Sequence, residues 1–489
     1  MRRRLLPRNL ASAGFIVGLM LGWASGARGQ VVSSAPVATL AAIEARSAAL
    51  RAPQLAAEQR SLPATIRPTQ TTNPNEVGYV LGVSSAAADL RWSPAGGKGR
   101  AIRLELVSEN ATALRVSLRR DKLPRSMEVR FYAPGGEQAL GPYRPAVSAR
   151  GEEWWSPIIT GSRMGIEFYL GSDAQADAPA PQIESIAYIY AIEELSCHIP
   201  ITDHPEWATE ASAVAKISFN DLDCSGIMKS FMCTAFLLNR TINDAAPLAM
   251  TANHCIDNEA AANTVTFRWF FDTPAAPVVQ TLGARLLNNH VNNDCTLLAL
   301  DQRPPGGAAF LTYDIGPWPR DLSITGIHHP AGTFKRISFG TFTGGGFDFF
   351  SICGSRVINN FGVTYTSGTT EGGSSGSPLF DSNRRVRGPL SGSFDNGCAP
   401  INDKYGRLDG AFPNFQAYLT TIASPVWLDA LYPGFEDGTS AQPFRTIIKA
   451  AAVVRAGEQI SIRPGTYERT TLYRPMTLVA PVGGVTIGP

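Results

Sequence analysis

The chain has 489 residues, which is long enough for several domains at roughly 100–200 residues each. It is 44% hydrophobic and 17% charged, with 46 Gly and 35 Pro, a composition that favours strands and loops and excludes general disorder. The 43 Lys and Arg nearly balance the 41 Asp and Glu, so the net charge is +2. No sequence-wide attraction to nucleic acid or to an anionic membrane is therefore expected.

The first 29 residues have the pattern of a secretory signal peptide. A basic start from Arg2 to Arg4 precedes the apolar stretch AGFIVGLMLGWA, and small residues follow before Gln30. A cut after Gly29 leaves Ala27 and Gly29 at the small-residue positions of the cleavage site. The alternative is a membrane anchor, but the stretch is shorter than the roughly 20 residues that span a bilayer. The sequence predicts a secreted protein, extracellular or periplasmic, with no membrane span after signal removal.

Three segments with different patterns follow the signal. Residues 30–75 are rich in Ala, Ser and Pro and are expected to be a linker or the start of a pro-segment. Residues 76–195 contain period-two runs such as AIRLELVSE, SMEVRFYA and MGIEFYL, which predict an antiparallel β-sandwich and a candidate pro-domain. Their intervening Arg and Lys side chains are expected on a solvated outer face. Residues 196–424 continue with short strands between Gly, Asn and Pro loops, which is typical of an all-β barrel domain.

The tail, residues 425–489, changes character again. The run TIIKAAAVV predicts a short helix, and strands with Gly and Pro corners follow it. This arrangement resembles the cap and first rung of a right-handed parallel β-helix. Because one rung buries little of its own face, we expect the tail to pack on the barrel, or longer relatives to continue with further rungs.

All the cysteines lie in the middle of the chain, which indicates one disulfide-bearing domain in an oxidising compartment. They are Cys197, Cys224, Cys233, Cys255, Cys295, Cys353 and Cys398. No CxxC or Cys/His set has the spacing of a zinc site, so no metal and no cofactor are expected. The odd number leaves at least one thiol unpaired or paired between molecules.

Three phrases of this domain carry the residue types of nucleophilic catalysis. PLAMTANHC contains His254, NNDCTLLAL contains Asp294, and GTTEGGSSGSPLF contains Ser375. A serine needs a neighbouring imidazole to take its proton, and the imidazole needs a carboxylate that fixes its tautomer and stabilises the imidazolium. Glycines beside the serine let backbone amides point at the developing oxyanion. Each residue alone is more often structural, but their joint occurrence in the order His, Asp, Ser predicts a catalytic triad in a two-barrel fold.

These phrases, with HHPAGTFKRIS, resemble the trypsin-like serine endopeptidases and, more closely, the bacterial lysyl endopeptidases. The resemblance covers roughly residues 197–424. It implies a chymotrypsin-like double β-barrel with the active site between the barrels. It assigns the nucleophile to Ser375, the general base to His254 and the orienting carboxylate to Asp294. It assigns the oxyanion amides to Gly373 and Ser375.

The resemblance also implies two disulfides. Cys233 and Cys255 match the pair that staples the loop bearing the histidine. A second match joins Cys197 at the start of the domain to Cys398 in the specificity region. The other three cysteines do not map onto this pattern, and one further bridge among them is expected without a choice of partners.

The substrate preference is inferred from a further sequence motif. The position where trypsin has its acidic residue is Thr369, which carries no charge, whereas lysyl endopeptidases have an acid before a Tyr-Gly-Arg phrase. That position is Asp403, which implies cleavage after Lys, with Arg as a further substrate. The alternative is a loop residue neutralised by Lys404. A family histidine is replaced by Ser391, which weakens the expected preference for Lys.

Activation is expected to differ from that of trypsin. The residue before the nucleophile is Ser374, so an ion pair between Asp and a freed terminal amine is not available. Residues 30–196 are a candidate pro-domain, but AYIYAIEELSCHIP contains no Lys or Arg for self-cleavage. Retention of the sandwich is therefore favoured over its removal near Ser196.

The sequence as a whole predicts a mostly β, secreted serine endopeptidase that needs no cofactor. Its partners are protein or peptide substrates, with no role for nucleic acid. Two alternatives stand beside it. One is a surface binding or adhesive protein on an inactive protease scaffold, and the other is an endopeptidase with non-basic specificity. His328 and His329 are expected to shape the cleft wall, and His290 to be structural.

Overall fold

A computed structural model gives the fold of most of the chain beyond residue 72. The described residues are 48–51, 65–66, 73–82, 92–95, 99–108, 111–135, 139–148, 151–171, 178–192, 194–350, 356–393, 395, 397–420, 422, 424–470, 472 and 475–488. The predicted signal peptide, most of the 30–75 segment and Cys353 lie outside them. Within these ranges, no helix has the length and apolarity needed to cross a membrane.

The N-terminal unit is a β-sandwich, as predicted. Its strands are β1 (Ala48–Arg51), β2 (Thr65–Ile66), β3 (Glu76–Gly82), β4 (Ser93–Ala95), β5 (Gly99–Val107), β6 (Ala113–Arg119), β7 (Glu128–Tyr132), β8 (Ala139–Tyr143), β9 (Glu153–Trp155), β10 (Ile159–Thr160), β11 (Arg163–Leu170), β12 (Ile183–Ile189) and β13 (Ala191–Ile192), with the helix α1 (Pro145–Ser148). One sheet has the order β1-β5-β11-β7-β8, and the other begins β10-β6-β12-β3. Alternating apolar side chains such as Leu104, Val116 and Ile166 form the core between the sheets.

The expectation of a solvated outer face on the sandwich is wrong for several cations. Arg103 Nε lies 2.8 Å from Glu167 Oε2, and both side chains are buried. Arg115 is 1% exposed, and its Nη2 donates to Thr264 O at 2.9 Å. Thr264 belongs to the barrel domain, so this face of the sandwich is covered by a neighbour that strand periodicity does not reveal.

The first barrel carries two of the predicted catalytic residues. A short strand β14 (Ile199–Pro200) and helix α2 (Ala208–Ser212) lead into β15 (Val214–Leu222), β16 (Met228–Leu237), β17 (Leu248–Thr251), α3 (Glu259–Thr264), β18 (Thr266–Trp269), β19 (Val279–Leu282), β20 (Ala284–His290) and β21 (Cys295–Leu300). Strand β16 pairs with both β15 and β17, and β21 pairs with both β17 and β20. The resulting core is apolar, because nearly all the residues of β16 and β21 are buried.

The second barrel carries Ser375 and Asp403. Its strands are β22 (Ser323–His328), β23 (Arg336–Phe350), β24 (Arg356–Ser367), β25 (Pro378–Phe380), β26 (Val386–Ser393) and β27 (Ile401–Tyr405), followed by helix α4 (Leu408–Leu419). The order is β14-β23-β22-β25-β26-β27-β24, and an additional β23–β24 pairing closes the sheet. The predicted mostly β fold with a chymotrypsin-like double barrel is confirmed.

The sandwich and the first barrel share one sheet. Strand β3 pairs antiparallel with β12 of the sandwich and with β16 of the barrel, so a 12-stranded sheet crosses the boundary between them. The buried carboxylate of Glu76 accepts from Lys229 Nζ at 2.8 Å across this junction. The N-terminal unit is thus attached through strand pairing and a buried ion pair. Sequence analysis did not predict this attachment.

The tail packs on the first barrel. It contains β28 (Val426–Leu428), α5 (Ile447–Val453), β29 (Gln459–Ile462), β30 (Gly465–Tyr467), β31 (Thr477–Val479) and β32 (Val485–Ile487), with parallel pairing in the order β28-β29-β31 and between β30 and β32. Its apolar residues join the core cluster of the barrel. Arg240 Nη1 donates to Ala452 O and Val453 O at the end of α5, at 2.8 and 2.9 Å. Of the two expectations for the tail, packing on the barrel is therefore observed. The β-helix itself stays a prediction.

Candidate active site

Strand register brings His254 and Asp294 to one edge of the first barrel. Thr251 at the end of β17 pairs with Thr296 near the start of β21. Because the strands are antiparallel, the residues that follow β17 and those that precede β21 emerge side by side. His254 comes three residues after Thr251, and Asp294 comes two residues before Thr296.

The carboxylate of Asp294 holds His254 through two contacts. Asp294 Oδ2 lies 2.8 Å from His254 Nδ1, and Asp294 Oδ1 accepts from the His254 amide at 2.9 Å. Asp294 is fully buried and has a left-handed conformation with φ of 49° at the end of the 3-10 turn Val291–Asn293. His290 Nδ1 accepts from the Asn293 amide at 3.2 Å, so this histidine caps the turn that presents Asp294.

One disulfide adjoins His254, and a second lies near Thr369. Cys233 in β16 is bonded to Cys255, next to His254, and Cys197 is bonded to Cys398. The Cys233 and Cys255 sulfurs lie within 4.8 Å of a ring nitrogen of His254, but a disulfide offers no thiolate to a metal. Cys224 is also disulfide-bonded, whereas Cys295 is a buried free thiol.

The loop between β24 and β25, residues 368–377, contains Ser375 and is called the nucleophile loop after its predicted role. Two of its glycines allow it to approach the first barrel closely. Gly373 and Gly376 have φ of 91° and 81°, a region that strains other residues. A Cβ on Gly376 would lie 2.2 Å from Thr251 Oγ1, so only glycine allows this approach. Thr234 in β16 donates its hydroxyl to Gly373 O at 2.9 Å, and its amide donates to Ser375 O at 2.8 Å. Ser375 is thereby placed between the two barrels and is 8% exposed.

A residue of the N-terminal segment occupies the space beside Ser375. Asn75 Nδ2 donates to Ser375 Oγ at 3.2 Å, and Asn75 Oδ1 accepts from the Gly373 amide at 2.8 Å. The Asn75 backbone carbonyl accepts from the Met232 amide at 2.9 Å. One side-chain amide therefore binds both the predicted nucleophile and a predicted oxyanion donor.

Asp403 is buried on strand β27, beside the start of the nucleophile loop. Its Oδ2 accepts from Thr370 Oγ1 at 2.6 Å, whereas Oδ1 has no hydrogen-bond partner among the described residues. Burial raises the pKa of Asp403 to about 7, against the opposing effects of two nearby hydroxyls. That of Thr370 bonds the carboxylate, whereas that of Ser393 donates to Asn402 O. Lys404 is partly exposed and follows Asp403 on the strand, so it points to the opposite face.

The other pocket positions are uncharged. Thr369 is buried and donates to Gly397 O at 2.6 Å, next to the Cys398 disulfide. Ser391 is 3% exposed, and its hydroxyl has no partner in the part of the chain that the structure describes. Of the three predicted pocket positions, Asp403 alone carries a carboxyl group.

Sequence reasoning missed three polar groups at this site. Asn75 lies at the junction of the 30–75 and 76–195 segments, in the phrase NPNEV, which carries no recognisable signal. Thr370 was overlooked beside Thr369, although its hydroxyl is the one that bonds Asp403. His328 was expected to shape the cleft wall, but it lies 2.8 Å from the hydroxyl of Ser374.

Comparisons with known proteins find similarity to proteases. Residues 193–406 match the family described as lysyl endopeptidase, C-terminal domain, and residues 21–190 match the lysyl endopeptidase N-terminal domain. The chain is a serine endopeptidase similar to the lysyl endopeptidases. This lysyl endopeptidase-like chain also matches, over residues 434–479, a family described only as a protein of unknown function.

Individual relatives were found among curated proteins and solved structures. A lysyl endopeptidase of Pseudomonas aeruginosa is 26% identical over 424 residues, which covers 77% of this chain and 88% of the relative. The active form of the Rv3671c protease from M. tuberculosis is 19% identical, with a TM-score of 0.33, over 45% of this chain and 89% of that one. The Deg5 structure is 14% identical, with a TM-score of 0.31, over 45% and 96% of the two chains.

Proposed function

We propose that this endopeptidase is secreted and cleaves peptide bonds after Lys, with Arg as a further substrate, through Ser375, His254 and Asp294. The observation that carries the proposal of Lys preference is that Asp403 Oδ1 is buried and has no hydrogen-bond partner among the described residues. A buried carboxylate without a cation is unfavourable, so a pocket of this kind favours a substrate that supplies one.

The residues support an acyl-enzyme mechanism. Ser375 Oγ attacks the scissile carbonyl carbon while its proton passes to His254 Nε2, and the carbonyl oxygen becomes an oxyanion that the Gly373 and Ser375 amides stabilise. The C–N bond then breaks, and His254 gives its proton to the leaving amine. Water hydrolyses the ester by the same route in reverse. Asp294 keeps the His254 Nδ1–H in place and stabilises the imidazolium throughout.

The compartment is supported by two features of the chain. The first 29 residues have the signal-peptide pattern, and Cys197–Cys398, Cys233–Cys255 and Cys224 are oxidised. Disulfides persist in oxidising compartments such as the periplasm and the extracellular medium. Secretion is therefore part of the proposal.

The test is digestion of an unfolded protein by the purified chain, with the Ser375→Ala variant alongside and every cleavage site read by mass spectrometry. We expect cuts after Lys, fewer after Arg, and none from the variant. Cuts after other residues would reject the assignment of Asp403 but keep the enzyme. Equal cleavage by both proteins would reject Ser375 as the nucleophile.

A further inference from the structure

The peptide planes around the predicted oxyanion amides are fixed by hydrogen bonds from outside the nucleophile loop. The Ala331 amide donates to Gly372 O at 2.7 Å. Because the carbonyl and the amide of a trans peptide point in opposite directions, this bond turns the Gly373 N–H into the cleft. Thr234 fixes the next carbonyl, that of Gly373, through its hydroxyl.

Ser374, between the two amides, is held by a buried histidine. Ser374 Oγ accepts from the Glu371 amide at 3.2 Å and lies 2.8 Å from His328 Nδ1. His328 Nε2 lies 3.1 Å from Ser338 Oγ, and that hydroxyl donates to Thr369 O at 3.0 Å. Through Ser338 on β23, His328 therefore connects Ser374 to Thr369, two residues after the end of β24.

The donors and acceptors of this chain assign one tautomer to His328. The single proton of Ser338 goes to Thr369 O, so Ser338 Oγ must accept from the His328 Nε2–H. His328 Nδ1 then accepts the proton of Ser374. Burial, with the positive charge of Arg336, lowers the pKa of His328 well below its usual value and keeps the ring neutral.

We propose that His328 is a positioning residue that holds the Gly373 and Ser375 amides in their catalytic orientation through Ser374. In many trypsin-like enzymes, an Asp paired with a freed terminal amine orders the oxyanion amides. In this chain the neutral His328 ring has that role, so the oxyanion site forms without proteolytic cleavage. This inference rests on the proposed function.

The test compares His328→Phe, Ser374→Ala and the double variant in the full chain, with an ester substrate of Lys. Rates are expressed per active site, counted by burst titration, so that differences in the fraction of open sites cancel. We expect each single variant to lower kcat about 10–100-fold, less than the loss of a whole oxyanion donor, with KM within about threefold. The double variant should be no slower than the slower single variant.

The half-buried His204, changed to Phe, serves as the matched control and should keep the parent kcat. Unchanged kcat in Ser374→Ala would overturn the proposal, as would losses that multiply in the double variant. A thermal unfolding curve for each protein identifies a folding defect, and Ser374→Ala, which removes one atom, keeps the test valid if His328→Phe unfolds. Absence of a Ser375-dependent burst both in the parent and in Asn75→Ala would instead reject the proposed function.

A separate observation concerns the occupant of the cleft. The Asn75 side chain has its carbonyl oxygen on the Gly373 amide, where the oxygen of a scissile carbonyl must lie during catalysis. Its amide nitrogen donates to the Ser375 hydroxyl. Among the described residues, the structure records no hydrogen bond from Ser375 Oγ to His254. Pro74 O packs so closely on Gly372 that a Cβ there would lie 2.0 Å away.

The segment that carries Asn75 is anchored on both sides. Lys229 Nζ lies 2.8 Å from Glu76 Oε1, and the Tyr190 hydroxyl donates to the same oxygen at 3.2 Å. Lys229 Nζ also lies 3.9 Å from the centre of the Tyr79 ring. Strand pairing of β3 with β12 and β16 continues this attachment.

We infer that Asn75 inhibits the enzyme as long as the N-terminal unit stays in this position. A substrate carbonyl and the Asn75 amide compete for the same donor, so activation requires that this segment leaves the cleft. Since His328 and Thr234 already hold the loop that contains Ser375, displacement of Asn75 from the cleft is sufficient for activation.

The test uses a fluorophosphonate, which labels an accessible active serine and needs no Lys pocket. We expect Asn75→Ala and Lys229→Ala to label at least about tenfold faster than the parent full chain, because one loses the competing amide and the other loses the anchor of β3. Asp121→Ala, which removes an exposed ion pair of the sandwich, should label at the parent rate.

Equal labelling of the parent and Asn75→Ala would overturn the inhibitory role while leaving the proposed function intact. Absence of labelling in all of these proteins, with Ser375→Ala as the blank, would reject the proposed function instead. Intact mass measured after each reaction shows whether the chain was cut during the experiment.

Discussion

The two ends of the catalytic cleft differ in how their polar groups are satisfied. At the reaction end, Asp294 uses both carboxylate oxygens on His254, and Asn75 takes the Gly373 amide and the Ser375 hydroxyl. At the pocket end, Asp403 has one hydrogen bond from Thr370, and its other oxygen has no partner among the described residues.

The difference shows how each end is prepared for substrate. The groups that we propose perform the chemistry are oriented in advance by the chain, and the Asn75 side chain lies where we infer that the substrate carbonyl binds. The pocket carboxylate keeps an unused acceptor in a buried site, which only a cation can compensate fully. In the proposed function, the reaction end is therefore preorganised, whereas specificity depends on a cation that the substrate supplies.

The largest expected effect is at the reaction end. In Asp294→Asn, an amide replaces a carboxylate that accepts two hydrogen bonds, so His254 is left in the wrong tautomer. We expect kcat to fall about 10⁴-fold with little change in KM, measured on an ester of Lys. The exposed Asp321, changed to Asn, is the control. A loss below tenfold would contradict the role of Asp294.

The next effect is at the pocket end. Asp403→Asn removes the buried carboxylate that we propose binds a substrate ammonium. We expect the ratio of kcat/KM for matched Lys and norleucine esters to fall about 10²–10³-fold, as for other desolvated charge pairs. An unchanged ratio would mean that the side chain before the scissile bond lies elsewhere.

The protonation of Asp403 predicts a pH dependence of this preference. Burial raises the pKa of Asp403 to about 7, so the carboxyl is protonated below that pH and loses its attraction for Lys. Between pH 8 and pH 6 we expect the Lys/norleucine ratio to fall about tenfold. Taking the ratio cancels the titration of His254, which affects both substrates. A flat ratio would show that Asp403 stays ionised in the free enzyme.

The raised pKa of Asp403 also predicts that ionisation of this carboxyl lowers the stability of the fold. A carboxyl that binds its proton more tightly in the folded state destabilises the fold as pH rises from about 4 to about 7. Asp403→Asn should therefore raise the unfolding temperature at pH 8 and have little effect at pH 4. A lower unfolding temperature at pH 8 would indicate that the carboxylate is compensated in the fold.

The smallest effect concerns the hydroxyl on Asp403. Thr370→Val keeps the shape of the side chain but removes its 2.6 Å hydrogen bond, which favours the ionised carboxyl. We expect about a three- to tenfold loss of Lys preference at neutral pH and recovery at higher pH. Thr370→Ser should restore the parent behaviour, and equal losses in both variants would point to packing.

Much of this site could be predicted from the sequence because its phrases are local. TANHC and GGSSGSP are short motifs that contain turn-forming residues. Alternating apolar residues identify strands such as β5 and β11. Strand periodicity did not reveal that Arg115 and Arg103 are buried. A sheet face is covered or exposed according to its neighbour, and the barrel that covers Arg115 lies far away in sequence.

The sequence by itself determined the mostly β fold and the residue types and chain order of the candidate triad. Only the tertiary structure decided that Asn75 lies on Ser375, that His328 holds Ser374 and that Thr370 bonds Asp403. The hydrogen bond from Asn75 to Ser375 joins residues 300 positions apart. Such contacts depend on how whole sheets pack, and no local pattern of side chains encodes them.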